Sequence, residues 1–119
     1  DWAWIQKHNT GGVEMHDISD DTALLAIQGP EAVNKMQTLT DLDLVNLKYY
    51  TFAKGRFAGV DNVLVSATGY TGSGGVEIYF EDRDGAADAI WDAVIAAGVK
   101  PIGLGARDTL RLEKGYCLY

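Results

Sequence analysis

The segment Gly69-Tyr70-Thr71-Gly72-Ser73-Gly74-Gly75 places four glycines in seven residues, and Glu77 follows just beyond it. Backbone this rich in glycine can present N–H groups to an anion, as phosphate-binding loops do. Those loops open a helix and carry a Lys, whereas this one leads into the alternating strand pattern Val76 to Phe80 with an acid inside it. Read by itself, the cluster is a hairpin turn whose glycines supply positive φ angles. A tight hairpin turn brings its flanks together and so would set the Tyr70 ring beside the Glu77 carboxylate. That pair suits a flat heterocycle rich in hydrogen-bond donors: the ring packs on it, and the two oxygens accept from adjacent N–H groups. On the residues alone, an exposed Glu and a half-buried Tyr on an ordinary strand explain the same pattern, and this plainer reading comes first.

Arg107 and Arg111 lie at i, i+4, a spacing that is unfavourable for like charges unless something offsets it. Asp108 supplies the offset for Arg111, for which a solvated helix face is a sufficient account. Arg107 shares a stripe with Leu104 and Arg111 and is freer to face a sheet and bind a carboxylate, a task its forked guanidinium suits. Pattern alone favours a structural or surface role for it. His8 and His16 lie in unrelated segments without metal-ligand spacing and read as surface or strand histidines. No Ser-His-Asp or Cys-His arrangement can be assembled. Cys117, between Tyr116 and Leu118, reads as a small buried apolar residue, and Trp2, Trp4 and Trp91 read as core residues.

The elements that must position these groups follow from periodicity. Asp1 to His8 is the tail of a helix stopped by Asn9-Thr10-Gly11-Gly12. Val13 to Ile18 is a weak alternating strand, Ser19-Asp20-Asp21 a turn, and Thr22 to Gln28 a strand apolar enough to be buried on both faces. Gly29-Pro30-Glu31 starts a helix with Val33, Met36 and Thr40 on one face. Tyr49 to Phe52 and Arg56 to Val60 are short strand candidates flanking Ala53-Lys54-Gly55, and a strand from Val63 to Thr68 leads into the glycine cluster. Ala87, Ile90, Trp91, Val94 and Ile95 form an amphipathic stripe, with Asp84 as cap and Gly98 past the end. A last helix runs from about Gly103 to Glu113, with Gly115 as its stop. This order predicts an α+β fold, an antiparallel sheet with helices packed on one face, of ferredoxin-like type.

With 119 residues, 47% hydrophobic and 23% charged, the chain is one domain. Surface scaling lets a chain of this size bury about 65% of its unfolded surface, enough for a core without disulfides or metals. Its formal charge of -7 comes from 10 Lys+Arg against 17 Asp+Glu, with the acids spread along the chain. Nucleic acid is therefore excluded as a partner, because phosphate binding needs clustered Lys and Arg. A single cysteine fits a reducing compartment. The longest apolar runs, such as Ala23 to Ile27, fall far below the roughly 20 residues of a membrane span, and no signal peptide is visible. Because Asp1 and not Met opens the sequence, the chain is expected to be processed or a piece of something longer.

Three stretches carry a family resemblance that spans essentially the whole chain. They are Ala23 to Ala32 (ALLAIQGPEA), Gly69-Tyr70-Thr71-Gly72 with Gly75-Val76-Glu77-Ile78, and Pro101 to Glu113 (PIGLGARDTLRLE). In this order and spacing they resemble the T protein of the glycine cleavage system, the aminomethyltransferase family. The resemblance implies transfer of an aminomethyl group from the lipoyl arm of a partner H protein to tetrahydrofolate, giving methylenetetrahydrofolate and ammonia. It implies pterin contact for Glu77 and folate-site roles for Tyr70 and Arg107, while Arg111 keeps a structural role. Members often show Arg and Glu where this chain has Ala67 and Ser73. The family's catalytic Asp lies upstream of anything matched and its C-terminal β-rich domain downstream of Tyr119. The chain is therefore expected to be the central folate-binding fragment of a longer enzyme of the cytoplasm or the mitochondrial matrix, and inactive alone. The alternatives are the folate domain of a sarcosine or dimethylglycine dehydrogenase or a demethylase, and a non-catalytic ferredoxin-like module.

Overall fold

A computed structural model describes residues 1–118; Tyr119 lies outside the described residues. Period-two alternation builds the sheet. Strand β4 (Gly75–Glu81) buries Val76, Ile78 and Phe80 and turns Glu77 and Tyr79 the other way. It is flanked by β1 (Thr22–Gln28) and β3 (Val60–Ser66), with β2 (Phe52–Phe57) outside β3. The order is β1-β4-β3-β2, and every pairing is antiparallel. The fold is thus the α+β class expected. Its order of strands and α-helices after the first helix is β-α-β-β-β-α-α, with three strands in succession where the ferredoxin-like unit alternates β-α-β-β-α-β.

The register fixes which side chains share a face. Ala26, Glu77, Ser66 and Phe52 form one row across the sheet, and Leu24, Tyr79, Leu64 and Lys54 form the next. Both rows stand on the open face. On the opposite face Ile27, Val63, Val65, Val76, Ile78 and Phe80 meet Met36 of α2 (Ala32–Gln37) and Ile90 and Val94 of α3 (Ala86–Ala96) in a single core. Helices α1 (Trp2–His8) and α4 (Leu104–Lys114) bury no residue fully. Gly98 and Gly115 lie just past α3 and α4, where they were expected. Ile90 is fully enclosed, so Ile90→Val leaves a methyl-sized gap and is expected to cost about 1 kcal/mol. Urea unfolding of chain 1–119 should show it as a lower midpoint with unchanged slope.

Several expectations are corrected. Val13 to Ile18 forms no strand, because Asn9 captures the backbone locally: its Oδ1 accepts from the Val13 N–H at 2.9 Å and its Nδ2 donates to the Val13 carbonyl at 2.5 Å. Strand β1 is not buried on both faces; it is an edge strand in which Ile27 alone is fully buried and Leu24 is 48% exposed. In place of two candidates flanking Ala53-Lys54-Gly55, one strand runs through that segment from Phe52 to Phe57; Tyr49 to Thr51 lie outside it, the turn falls at Ala58-Gly59, and Val60 opens β3. Gly55 marks a close approach, since a Cβ there would lie 2.7 Å from Leu42 Cδ2. Asp84 does not cap α3: the N-cap is Gly85, and no side chain bonds the first turn. Trp4 and Trp91 are 66% and 44% exposed, and Cys117 is exposed, so none of the three is a core residue. Trp4 instead stacks on His8, with ring centroids 4.1 Å apart.

Candidate functional site

Glu77 stands half-buried on the open face, in the row between Ala26 and Ser66. Its Oε2 accepts a short hydrogen bond from the Thr68 hydroxyl, which also lies 2.9 Å from the Ser66 hydroxyl. One carboxylate oxygen is thereby fixed by the strand end, and the acid keeps lone pairs for an incoming donor. Beside it in sequence, Tyr79 faces the same way. Burial, and behind it the Glu77 carboxylate, pushes the Tyr79 phenol up from its ordinary value, so it stays a neutral O–H. Leu64, Ser66, Tyr79, Thr22 and Ile18 line an open hollow of about 530 Å³ on this face.

Tyr70 and Arg107 are brought together. The Arg107 guanidinium carbon sits 4.7 Å from the centroid of the Tyr70 ring, a cation–π distance, and the Tyr116 ring lies 6.2 Å from it. The Tyr70 hydroxyl donates to the Cys117 carbonyl, which ties the glycine loop to the chain beyond α4. Arg107 is exposed, and no ion pair occupies it among the described residues. Tyr70 and Glu77 do not flank a tight turn. The ladder between β3 and β4 stops at Ser66 and Glu77, and residues 67–74 form a wide loop that carries Tyr70 toward α4. Among the described residues no hydrogen bond joins Glu77 to Tyr70 or Arg107; the connection runs through Thr68 and Gly69.

Arg111 is less solvated than its helix position suggests. Its side chain is 18% exposed; Nη1 donates to the Tyr116 carbonyl at 3.3 Å, Nε lies 3.8 Å from Asp108 Oδ1, and Nε has no hydrogen-bond partner. It holds the end of α4 against the Tyr116 segment, a structural task. Ala67 is buried and pairs its backbone with Tyr50 and Thr51, while Ser73 is exposed in the loop. His8 and His16 are exposed, and no group of three or more His, Cys, Asp and Glu could hold a metal ion among the described residues.

Sequence reasoning missed a second group of residues. Gln28, Tyr49, Thr68, Gly69, Gly75 and Tyr116 line a cavity of about 210 Å³ beside the glycine loop, with Lys114 at its edge. This is below the roughly 300–1,000 Å³ of a whole ligand pocket. The signal for these residues was slight: a polar Gln ending an apolar strand, and two threonines among glycines.

The bare sheet face thus carries the Glu77 carboxylate, fixed by the Thr68 hydroxyl, and the Arg107 guanidinium lies over the Tyr70 ring of the glycine loop. Residues 1–119 match the GCVT N-terminal domain over their whole length, and the chain belongs to that family. It is 60% identical over 123 residues to the aminomethyltransferase of Flavobacterium psychrophilum, covering all of this chain and 34% of the relative. It is 58% identical to the aminomethyltransferase of Bacteroides thetaiotaomicron and 48% identical to that of Geobacillus kaustophilus, again over the whole chain and 34% and 33% of those proteins. The chain thus spans about a third of the length of the curated relatives it matches.

Proposed function

We propose that this chain is the folate-binding part of an aminomethyltransferase of glycine cleavage. The aminomethyl group arrives as a thioether on the reduced lipoyl arm of the H protein. Its carbon passes to tetrahydrofolate, whose two reacting nitrogens close a methylene bridge, while the lipoyl thiol and ammonia leave. The observation that carries this reading is the Glu77 carboxylate, held by Thr68 on an open sheet face.

The residues fit a folate. A pterin edge offers adjacent N–H donors, and a carboxylate with one oxygen fixed accepts two of them in one plane. Leu64 and Tyr79, in the row beside Glu77, supply a surface for the flat ring. The Arg107 guanidinium, lying over Tyr70, takes the carboxylate end of the ligand by its planar fork. These contacts bind and orient; proton handling at the reacting nitrogen belongs to an acid outside these 119 residues. The chain is accordingly the central part of an enzyme whose N-terminal segment and C-terminal β-rich domain lie elsewhere, a reading supported by its covering about a third of its relatives. The bacterial relatives support work in the cytoplasm, and no helix among the described residues is long and apolar enough to cross a membrane.

The test is turnover by the full protein that carries these residues. Given aminomethylated lipoyl H protein, it is expected to form methylenetetrahydrofolate, with rapid ammonia release only when tetrahydrofolate is present. Ammonia release at the same rate without tetrahydrofolate would contradict the proposal. Chain 1–119 by itself is expected to show no such turnover.

A further inference from the structure

Gln28 is the last residue of β1, opposite Gly75 in the ladder, and its side chain runs to the glycine loop. Nε2 lies 3.3, 3.3 and 3.2 Å from the carbonyl oxygens of Ile27, Thr68 and Val76, and Oε1 accepts from the Thr71 hydroxyl at 3.0 Å. Thr71 is 6% exposed, and its hydroxyl also accepts from the Ser73 N–H at 3.3 Å. One amide therefore joins the end of β1, Thr68 on the way into the loop, Val76 on the way out of it and a buried hydroxyl at its centre. Two glycines make room for it: a Cβ on Gly69 would lie 2.5 Å from Gln28 Cδ, and one on Gly75 would lie 3.1 Å from Nε2. Thr68, whose carbonyl Gln28 holds, is the residue whose hydroxyl fixes Glu77.

We infer that Gln28 is a positioning residue, which sets the Glu77 carboxylate for its ligand by locking both stems of the glycine loop to the sheet. The inference rests on the folate reading of Glu77. Gln suits this task because its amide carries two donor hydrogens and an acceptor oxygen in one plane. Glu would offer no donor to the Thr68 and Val76 carbonyls, and Met would fill the same volume without any hydrogen bond. Losing the amide leaves the Thr68 carbonyl and the Thr71 hydroxyl short of partners, and the Thr68 side chain free to turn from Glu77.

The experiment is a double-mutant cycle in the full protein, read by calorimetric titration with 5-formyltetrahydrofolate, a stable form of the acceptor. Gln28→Met is expected to weaken binding about tenfold alone but less than about twofold when added to Glu77→Gln, because it acts through that carboxylate. A general loss of stability would instead lower affinity by the same factor in both backgrounds, and that result overturns the inference. Wild-type affinity in Gln28→Met overturns it as well. Should Glu77→Gln itself bind normally, the folate reading of Glu77 falls and the inference with it, an outcome distinct from the other two. If Gln28→Met does not fold, Thr71→Val cuts the Thr71 bond to Gln28, together with the longer one from the Ser73 N–H, and runs the same cycle, with an expected loss of about threefold.

Discussion

Glu77→Gln is expected to weaken binding of 5-formyltetrahydrofolate to the full protein about 100-fold, with little change in thermal stability. A hydrogen bond to a charged group contributes about 1.5–3 kcal/mol, and a pterin edge presents two N–H donors to this carboxylate. Gln retains one oxygen, which serves either Thr68 or the ligand but not both edge donors, and its amide hydrogens oppose the second donor. The charge is lost at the same time, so the cost exceeds that of one neutral hydrogen bond. Stability should hold because Glu77 lies half-buried on the open face, and its one hydrogen-bond partner among the described residues is Thr68. Titration calorimetry and a melting curve on the same sample separate the two effects. An affinity within twofold of wild type would remove Glu77 from the site.

Gly75→Ala should have the largest structural effect of any substitution in the glycine loop, about 4 kcal/mol, and should abolish folate binding at ordinary temperature. Gly75 has φ +123°, a region closed to side chains, and its added Cβ would strike the backbone carbonyl oxygen of Ile27 and lie 2.7 Å from Gln28 Cα. Backbone on a paired strand cannot step aside. Gly72→Ala provides the control: its φ is +66°, and the atoms its Cβ meets belong to the flexible Lys114 side chain and not to backbone. That change is expected to cost only about 1 kcal/mol. Denaturant unfolding of both variants checks the difference, and equal losses would show that the β1–β4 crossing at Gly75 is not a rigid contact.

Local signals were legible where one element decides its own structure. The alternation of Val76 to Phe80 dictates β4, the Ile90 and Val94 stripe dictates the core face of α3, and Gly115 ends α4. What was not legible depends on residues far apart in the chain. Gly55 looked like a turn because its partner, Leu42, approaches only in the folded sheet. Thr22 to Gln28 looked buried on both faces because its apolar content says nothing about its place at the sheet edge. The site divides in the same way. The resemblance supplied Glu77, Tyr70 and Arg107, but a tight turn would have paired Tyr70 with Glu77, whereas the loop after Ser66 is wide enough to carry its ring to Arg107. Gln28 showed only as a polar residue ending an apolar strand, since the four groups its amide bonds come together only in the folded sheet.

The most direct measurement is a crystal structure of the full protein with bound 5-formyltetrahydrofolate. The account predicts the pterin on the open sheet face, its N–H edge donating to the Glu77 carboxylate, with Thr68 still bonded to that acid. The carboxylate end of the ligand should lie at the Arg107 guanidinium, over the Tyr70 ring. A ligand bound elsewhere, with Glu77 facing water and Arg107 free, would contradict the assignment of this chain as the folate-binding part.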